Sequence, residues 1–199
     1  GAAFDLQNGW DLNDETQRQK MEKILDEQKP TLLIGSPPCV KFSILMNLLM
    51  GKNLAPERRA RFHEELDEAI SQLRFCFKLY RKQIAAGRYF LHEHPASASS
   101  WELHEVQELM QDPNVFQVVA HMCALGMTTK MPSDPQKEVP VLKPTRFLTN
   151  SWTVLEALDR RCECKDKHGS LLCGRAKAAQ CYPEKMCHII CEAVAEQVS

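Results

Sequence analysis

The chain has 199 residues, 44% of them hydrophobic and 26% charged, with a net charge of −1 at neutral pH. That length supports one globular domain with its own core, or a domain plus a small appendage, and the near-neutral balance excludes a global basic field that would advertise nucleic acid. No apolar run approaches the roughly 18 residues of a membrane span, and the N-terminus lacks the basic-then-apolar layout of a signal peptide. A soluble intracellular protein, nuclear or cytoplasmic, is expected. The nine cysteines are an odd number and bunch late, at Cys162, Cys164, Cys173, Cys181, Cys187 and Cys191. This usage predicts a reducing compartment, and metal binding ahead of a disulfide framework.

In chain order, an Asn/Asp cap near residue 13 opens a helix that turns Met21, Ile24 and Leu25 inward. Residues 31–35, TLLIG, read as a short strand buried on both faces, of the kind parallel sheets use. After the turn SPPC, residues 56–84 place Phe62, Leu66, Ile70, Leu73, Phe77, Tyr80 and Ile84 on one stripe of a long helix. RYFLHEHP (88–95) is the next strand, and the following segment shows a capping box, Ser99 to Glu102, ahead of another helix. VFQVVAHMC and TRFLTNS are two further strands, separated by the proline-rich, charged MPSDPQKEVPVLKP, the most linker-like piece present. Pro183 opens a last helix with Met186, Ile190, Ala193 and Val194 inward.

Strands alternating with helices predict an α/β protein with a mostly parallel sheet and helices on both faces. We divide it into a core (residues 1–159), a Cys/His-rich basic loop (160–175), and a C-terminal helix (176–199) that packs back on the core. Ligands of such sheets bind at the carboxyl ends of strands, where both SPPC and HEHP fall. Pro37 and Pro38 fix the backbone just ahead of Cys39 more than packing alone requires. Two roles are open to that thiol: a buried small hydrophobe, or a nucleophile activated at the start of a following helix. His92 and His94 beside Glu93 leave a Cys-His hydrolase open as well. A zinc deaminase is excluded, because its Pro-Cys-x-x-Cys should follow His-x-Glu rather than precede it.

A second constellation, RRCECKDKHGSLLCG, offers Cys162, Cys164, His168 and Cys173 as four soft ligands for zinc, without the usual Cys-x-x-Cys spacing. Around it Arg160, Arg161, Lys165, Lys167, Arg175 and Lys177 form a local basic patch suited to phosphate. A solvated surface face is the plainer role for the same charges.

GSPPCVKFS resembles the Pro-Cys nucleophile loop of the cytosine-5 DNA and RNA methyltransferases, and YFLHEHP resembles the next strand of that family, which carries its catalytic glutamate. NGWDL is similar to the segment with an acidic residue near the cofactor adenine, KPTRFLTNS to the strand that carries an arginine near the target base, and KAAQCYPEKMCHII to the closing segment beside the cofactor pocket. The resemblance implies a Rossmann-like methyltransferase fold that uses S-adenosylmethionine and acts on nucleic acid, DNA ahead of RNA. It makes Cys39 the nucleophile and Glu93 the acid, with Arg146 on the base or a neighbouring phosphate. Asp11, Pro37, Pro38 and Gln180 fall at the cofactor, and Ser43 joins the basic residues at the nucleic acid.

Four departures accompany it. The family's first glycine-rich cofactor loop has no counterpart here, Glu-Asn-Val is replaced by Glu-His-Pro, the closing Gly-Asn is Ala-Gln, and the space between Asn150 and Arg175 is too short for a large target-recognition region. These imply a piece of a longer polypeptide, such as a mobile-element polyprotein, whose cofactor site is completed by an upstream segment or a partner. The alternative is a catalytically silent module that binds nucleic acid or scaffolds the polyprotein.

Overall fold

The computed structural model describes residues 2–43, 55–131, 133–165, 167–171 and 181–199. Its regular elements are α1 (Glu15–Gln28), β1 (Leu32–Gly35), α2 (Pro56–Ala85), β2 (Tyr89–Pro95), α3 (His104–Met110), β3 (Phe116–His121), β4 (Thr128–Met131), β5 (Asp134–Pro140), β6 (Pro144–Thr149), α4 (Trp152–Leu158) and α5 (Glu184–Val198). The protein is α/β, with a four-stranded sheet in the order β1-β2-β6-β3 and a separate ribbon of β4 and β5. Tyr89 N–H donates to the Thr31 carbonyl at 2.9 Å, so β1 and β2 start together and run parallel. Ala96 N–H donates to the Pro144 carbonyl at 3.0 Å, which brings the end of β2 to the start of β6 and makes that pair antiparallel. β6 is also antiparallel to β3, with Phe116 opposite Thr149 and Val119 opposite Arg146. The expected mostly parallel sheet is therefore mixed: one reversed strand is inserted between two strands of common direction. The chain divides into two compact units, residues Gly1–Leu91 with Ser97–Asp112, and His92–Ala96 with Pro113–Ser199.

In the first unit the long helix α2 buries two faces where the sequence pattern shows one stripe. Phe62, Leu73, Phe77 and Tyr80 are buried as expected, while Phe75 and Leu79 form a second cluster with Met21 and Leu25 of α1. Leu66, Ile70 and Ile84 are only half-buried. Gln83 is fully buried on α2, and its amide donates to the carbonyls of Pro30 (3.0 Å) and Tyr89 (2.9 Å) while accepting from Arg88 Nε (2.8 Å). A buried amide left unsatisfied would cost about 1–3 kcal/mol, so this side chain ties the starts of β1 and β2 to the helix. β1 is not buried on both faces: Ile34 is 42% exposed and Leu32 and Leu33 half-buried, because β1 is an edge strand among the described residues. The expected capping box does not form. Ser99 lies in a short 3-10 turn and donates to the Phe42 carbonyl at 3.3 Å, leaving α3 with Leu103 at its cap.

In the second unit the linker-like segment folds as the antiparallel β4–β5 ribbon, with Thr129 opposite Val139 and Lys130 opposite Glu138. A two-stranded ribbon has two edges, so prolines that would break a central strand are tolerated at its ends. Ser151 caps α4, its hydroxyl accepting from Val154 N–H, and donates to Gln197 Oε1 of α5 at 2.8 Å. Met186, Ile190 and Ala193 of α5 are buried and Val194 half-buried. Among the described residues no helix is long and apolar enough to cross a membrane.

Candidate functional site

Cys39 lies four residues beyond β1, at the start of a 3-10 turn formed by Val40–Phe42, with φ −101° and ψ −6°. Several contacts hold that turn. Gly35 lets the chain pass the Tyr80 hydroxyl, since a Cβ there would lie 1.8 Å from Tyr80 Oη. Tyr80 cannot yield, being fully buried and stacked on Phe90 at 4.7 Å. Pro37 is buried and Pro38 exposed. Phe42 is 2% exposed, a burial worth roughly 1.5–3 kcal/mol. Lys41 pairs with Glu65 of α2 and lies over the Phe62 ring at 5.5 Å. The thiol between these anchors stays half-exposed. The helix expected after it is represented among the described residues by the 3-10 turn alone. Cys76 on α2 is likewise half-buried, and desolvation pushes its thiol up to about 12.

Glu93 occupies the fifth position of β2 and is 7% exposed, with Lys143 Nζ at 3.6 Å from its Oε1. Lys143 is a neighbour the sequence reading missed; it sits one residue ahead of β6, and only strand pairing brings it here. Strand alternation turns His92 and His94 to the face opposite Glu93, where both are buried with ring centroids 5.0 Å apart. Arg146 is half-buried on β6, opposite Val119 in register.

The proposed cofactor residues have local structural duties. The Asp11 carboxylate accepts from Asn13 N–H at 2.9 Å and its own N–H donates to Gln17 Oε1 at 2.8 Å, closing the turn before α1. Gln180 lies outside the described residues. Two surface clefts, of about 290 Å³ beside Arg81 and Glu108 and about 240 Å³ beside Arg18 and Arg74, lie on helix faces and contain none of the sequence-predicted residues. The basic patch is partly engaged: Arg160 Nε donates to the Ala157 carbonyl at 3.0 Å and Arg161 Nε lies 3.7 Å from Asp159 Oδ1. Lys165 and Lys167 are exposed, Ser43 closes the 3-10 turn after Cys39, and Arg175 and Lys177 lie outside the described residues.

Among the described residues, a metal-ligand grouping lies in the second unit. Cys123, Cys162, Cys164 and His168 place one ligand atom each within 4.8 Å of all the others. Three of the four were expected from the sequence. The fourth among the described residues is Cys123; the expected Cys173 lies outside them. Cys123 follows β3 in a series of tight turns, Ala124 N–H to His121 carbonyl at 2.9 Å and Gly126 N–H to Cys123 carbonyl at 3.1 Å, and Lys185 of α5 donates to the Ala124 carbonyl at 2.9 Å. Burial, and then hydrogen bonding with the Cys162 and Cys164 side chains, pushes the Cys123 thiol up to about 12. Cys162 moves down, chiefly because the Cys164 N–H donates to its sulfur. No local pattern flagged Cys123, because its partners lie far along the chain.

Comparison with protein-family models, with curated proteins and with solved structures finds no match.

Proposed function

We propose that this chain is a methyltransferase-like domain of the cytosine-5 class, acting on nucleic acid, with Cys39 as nucleophile. The observation that carries the reading is the Cys39 turn: a half-exposed thiol beyond the end of a strand, held by Gly35 against Tyr80, by buried Pro37 and Phe42, and by Lys41 on Glu65. A structural thiol needs no such fixation. A nucleophile does, since attack requires the reacting atoms to be aligned within a few tenths of an ångström.

The cytosine ring is too weak a nucleophile at carbon 5 to take a methyl group unaided. The Cys39 thiolate adds to carbon 6 and Glu93 gives a proton to ring nitrogen 3, leaving an enamine whose carbon 5 is nucleophilic. S-adenosylmethionine, when bound, supplies the electrophilic methyl group. Transfer of the carbon-5 proton to water then expels the Cys39 thiolate, and ring nitrogen 3 returns its proton to Glu93, which restores the ring. The base must leave its stack to reach the thiol.

The test uses DNA in which the target cytosine carries fluorine at carbon 5. Fluorine cannot leave as the proton does, so the expected result is a covalent protein–DNA adduct that requires S-adenosylmethionine and is lost in Cys39→Ser, a change that removes the soft thiolate with little volume. An adduct through another residue, or methyl transfer that survives Cys39→Ser, would overturn the assignment. Failure to bind S-adenosylmethionine at millimolar concentration would point to a silent nucleic-acid-binding or scaffold module.

A further inference from the structure

We infer that Cys123, Cys162, Cys164 and His168 hold one zinc ion in a closed, structural site, independently of any transferase activity. Zinc takes four ligands in a tetrahedron, with Zn–S about 2.3 Å and Zn–N about 2.0–2.1 Å, which sets the ligand atoms roughly 3.4–3.8 Å apart. The four ligand atoms here already lie within 4.8 Å of one another, and Cys162 Sγ is 3.2 Å from His168 Nε2. Small side-chain rotations close the tetrahedron. The donor set of three thiolates and an imidazole selects zinc over the harder magnesium and calcium. Four protein ligands leave no open position for water or substrate, so the ion is structural.

The surroundings match this assignment. The Cys164 N–H donates to Cys162 Sγ at 3.4 Å, a bond that favours a metal-bound thiolate over a thiol. Cys162 N–H donates to His121 Nδ1 at 3.0 Å, which orients the first ligand and occupies that nitrogen of His121. Three thiolates on a divalent cation leave one excess negative charge, and Arg160, Arg161, Lys165 and Lys167 line the same loop.

The loop also has a place for a metal. From Asp159 to Leu171 its described residues form no helix or strand, and the backbone bonds that reach it include His121 N–H to the Arg160 carbonyl at 2.9 Å and Gly169 N–H to the Pro140 carbonyl at 2.8 Å. Gly169 presses on the β4–β5 ribbon so closely that a Cβ would lie 2.4 Å from Thr129 Cγ2. Zinc would join the turn after β3, through Cys123, to this loop, and its binding energy would become folding energy of the second unit.

The test is zinc stoichiometry of the full chain purified under reducing conditions without chelator, combined with mapping of alkylated cysteines. One zinc ion per chain is expected. Cys123, Cys162 and Cys164 should be protected from iodoacetamide until a chelator is added, and cobalt substitution should give the visible bands of a tetrahedral thiolate site. Cys123→Ser should abolish stoichiometric zinc while Cys173→Ser leaves it intact. Because alkylation is read on the unsubstituted chain, misfolding of a variant cannot obscure the answer. Zinc well below one equivalent, loss of zinc in Cys173→Ser but not in Cys123→Ser, or a Cys123–Cys162 disulfide under reducing conditions would each overturn the inference.

Discussion

Two segments of this molecule present cysteines, one beyond a strand and one beyond a helix, and they are built on opposite principles. The segment from Ser36 to Ser43 presents one thiol, Cys39, and holds it by packing and backbone rigidity: two prolines, a glycine against Tyr80, the buried Phe42 ring and the Lys41–Glu65 pair. The loop from Arg160 to Leu171 gathers thiols and an imidazole around a point, while its described residues form no helix or strand. In the first, the scaffold positions the chemistry. In the second, the chemistry positions the scaffold. A cysteine fixed by its neighbours suits reaction, and cysteines that fix their neighbours suit metal binding.

The sharpest way to break the contrast is Gly35→Ala. Its Cβ would meet Tyr80 Oη at 1.8 Å and Tyr80 Cζ at 2.9 Å, inside a core where Tyr80 is fully buried. The expected cost is about 3 kcal/mol, at the upper end of overpacking effects, measured as a lower urea midpoint at unchanged slope. Adding Tyr80→Phe removes the nearest atom and should recover part of the loss. A silent Gly35→Ala would mean that the thiol turn is not fixed by this approach.

A smaller effect is expected on the metal side. His121 is not a ligand, but its Nδ1 accepts the Cys162 N–H. His121→Ala should weaken zinc about tenfold, or about 1.4 kcal/mol, as loss of an outer-shell contact does, with one zinc ion still bound at saturation. Competition with a chromophoric chelator reads the difference. Complete loss of zinc would instead make His121 a ligand and remove the contrast between direct and supporting residues.

The smallest effect concerns the surface of the first unit. Glu22 bridges Lys78 Nζ at 2.6 Å and Lys82 Nζ at 3.0 Å, and the Lys78 hydrogen bond is the main cause that holds its carboxyl below the ordinary 4.5. A depressed carboxyl contributes stability that is present above the unfolded value and is lost as pH falls through the folded one. Glu22→Gln should therefore cost less than about 1 kcal/mol at pH 7, and nothing once both proteins are below the folded value. Urea unfolding at neutral and acid pH compares them. An equal loss at both would assign the effect to packing of the side chain.

Local pattern in the sequence was enough for α1, α2, β1, β2, β3, β6 and α5, because period and capping are short-range signals. It also singled out Cys39, Glu93, Cys162, Cys164 and His168, whose residue types are unusual where they stand. What it could not contain is pairing. The second buried face of α2 exists because α1 packs there through Met21 and Leu25. The proline-rich segment became a ribbon because Thr128–Met131 lies opposite it. Ser99 gave up its capping box because the Phe42 carbonyl was within reach. Lys143 met Glu93, and Cys123 met Cys162, Cys164 and His168, only once segments far apart in the chain had come together. Residue type determined which side chains can do chemistry. Contacts between distant segments, which no local pattern records, decided which of them meet.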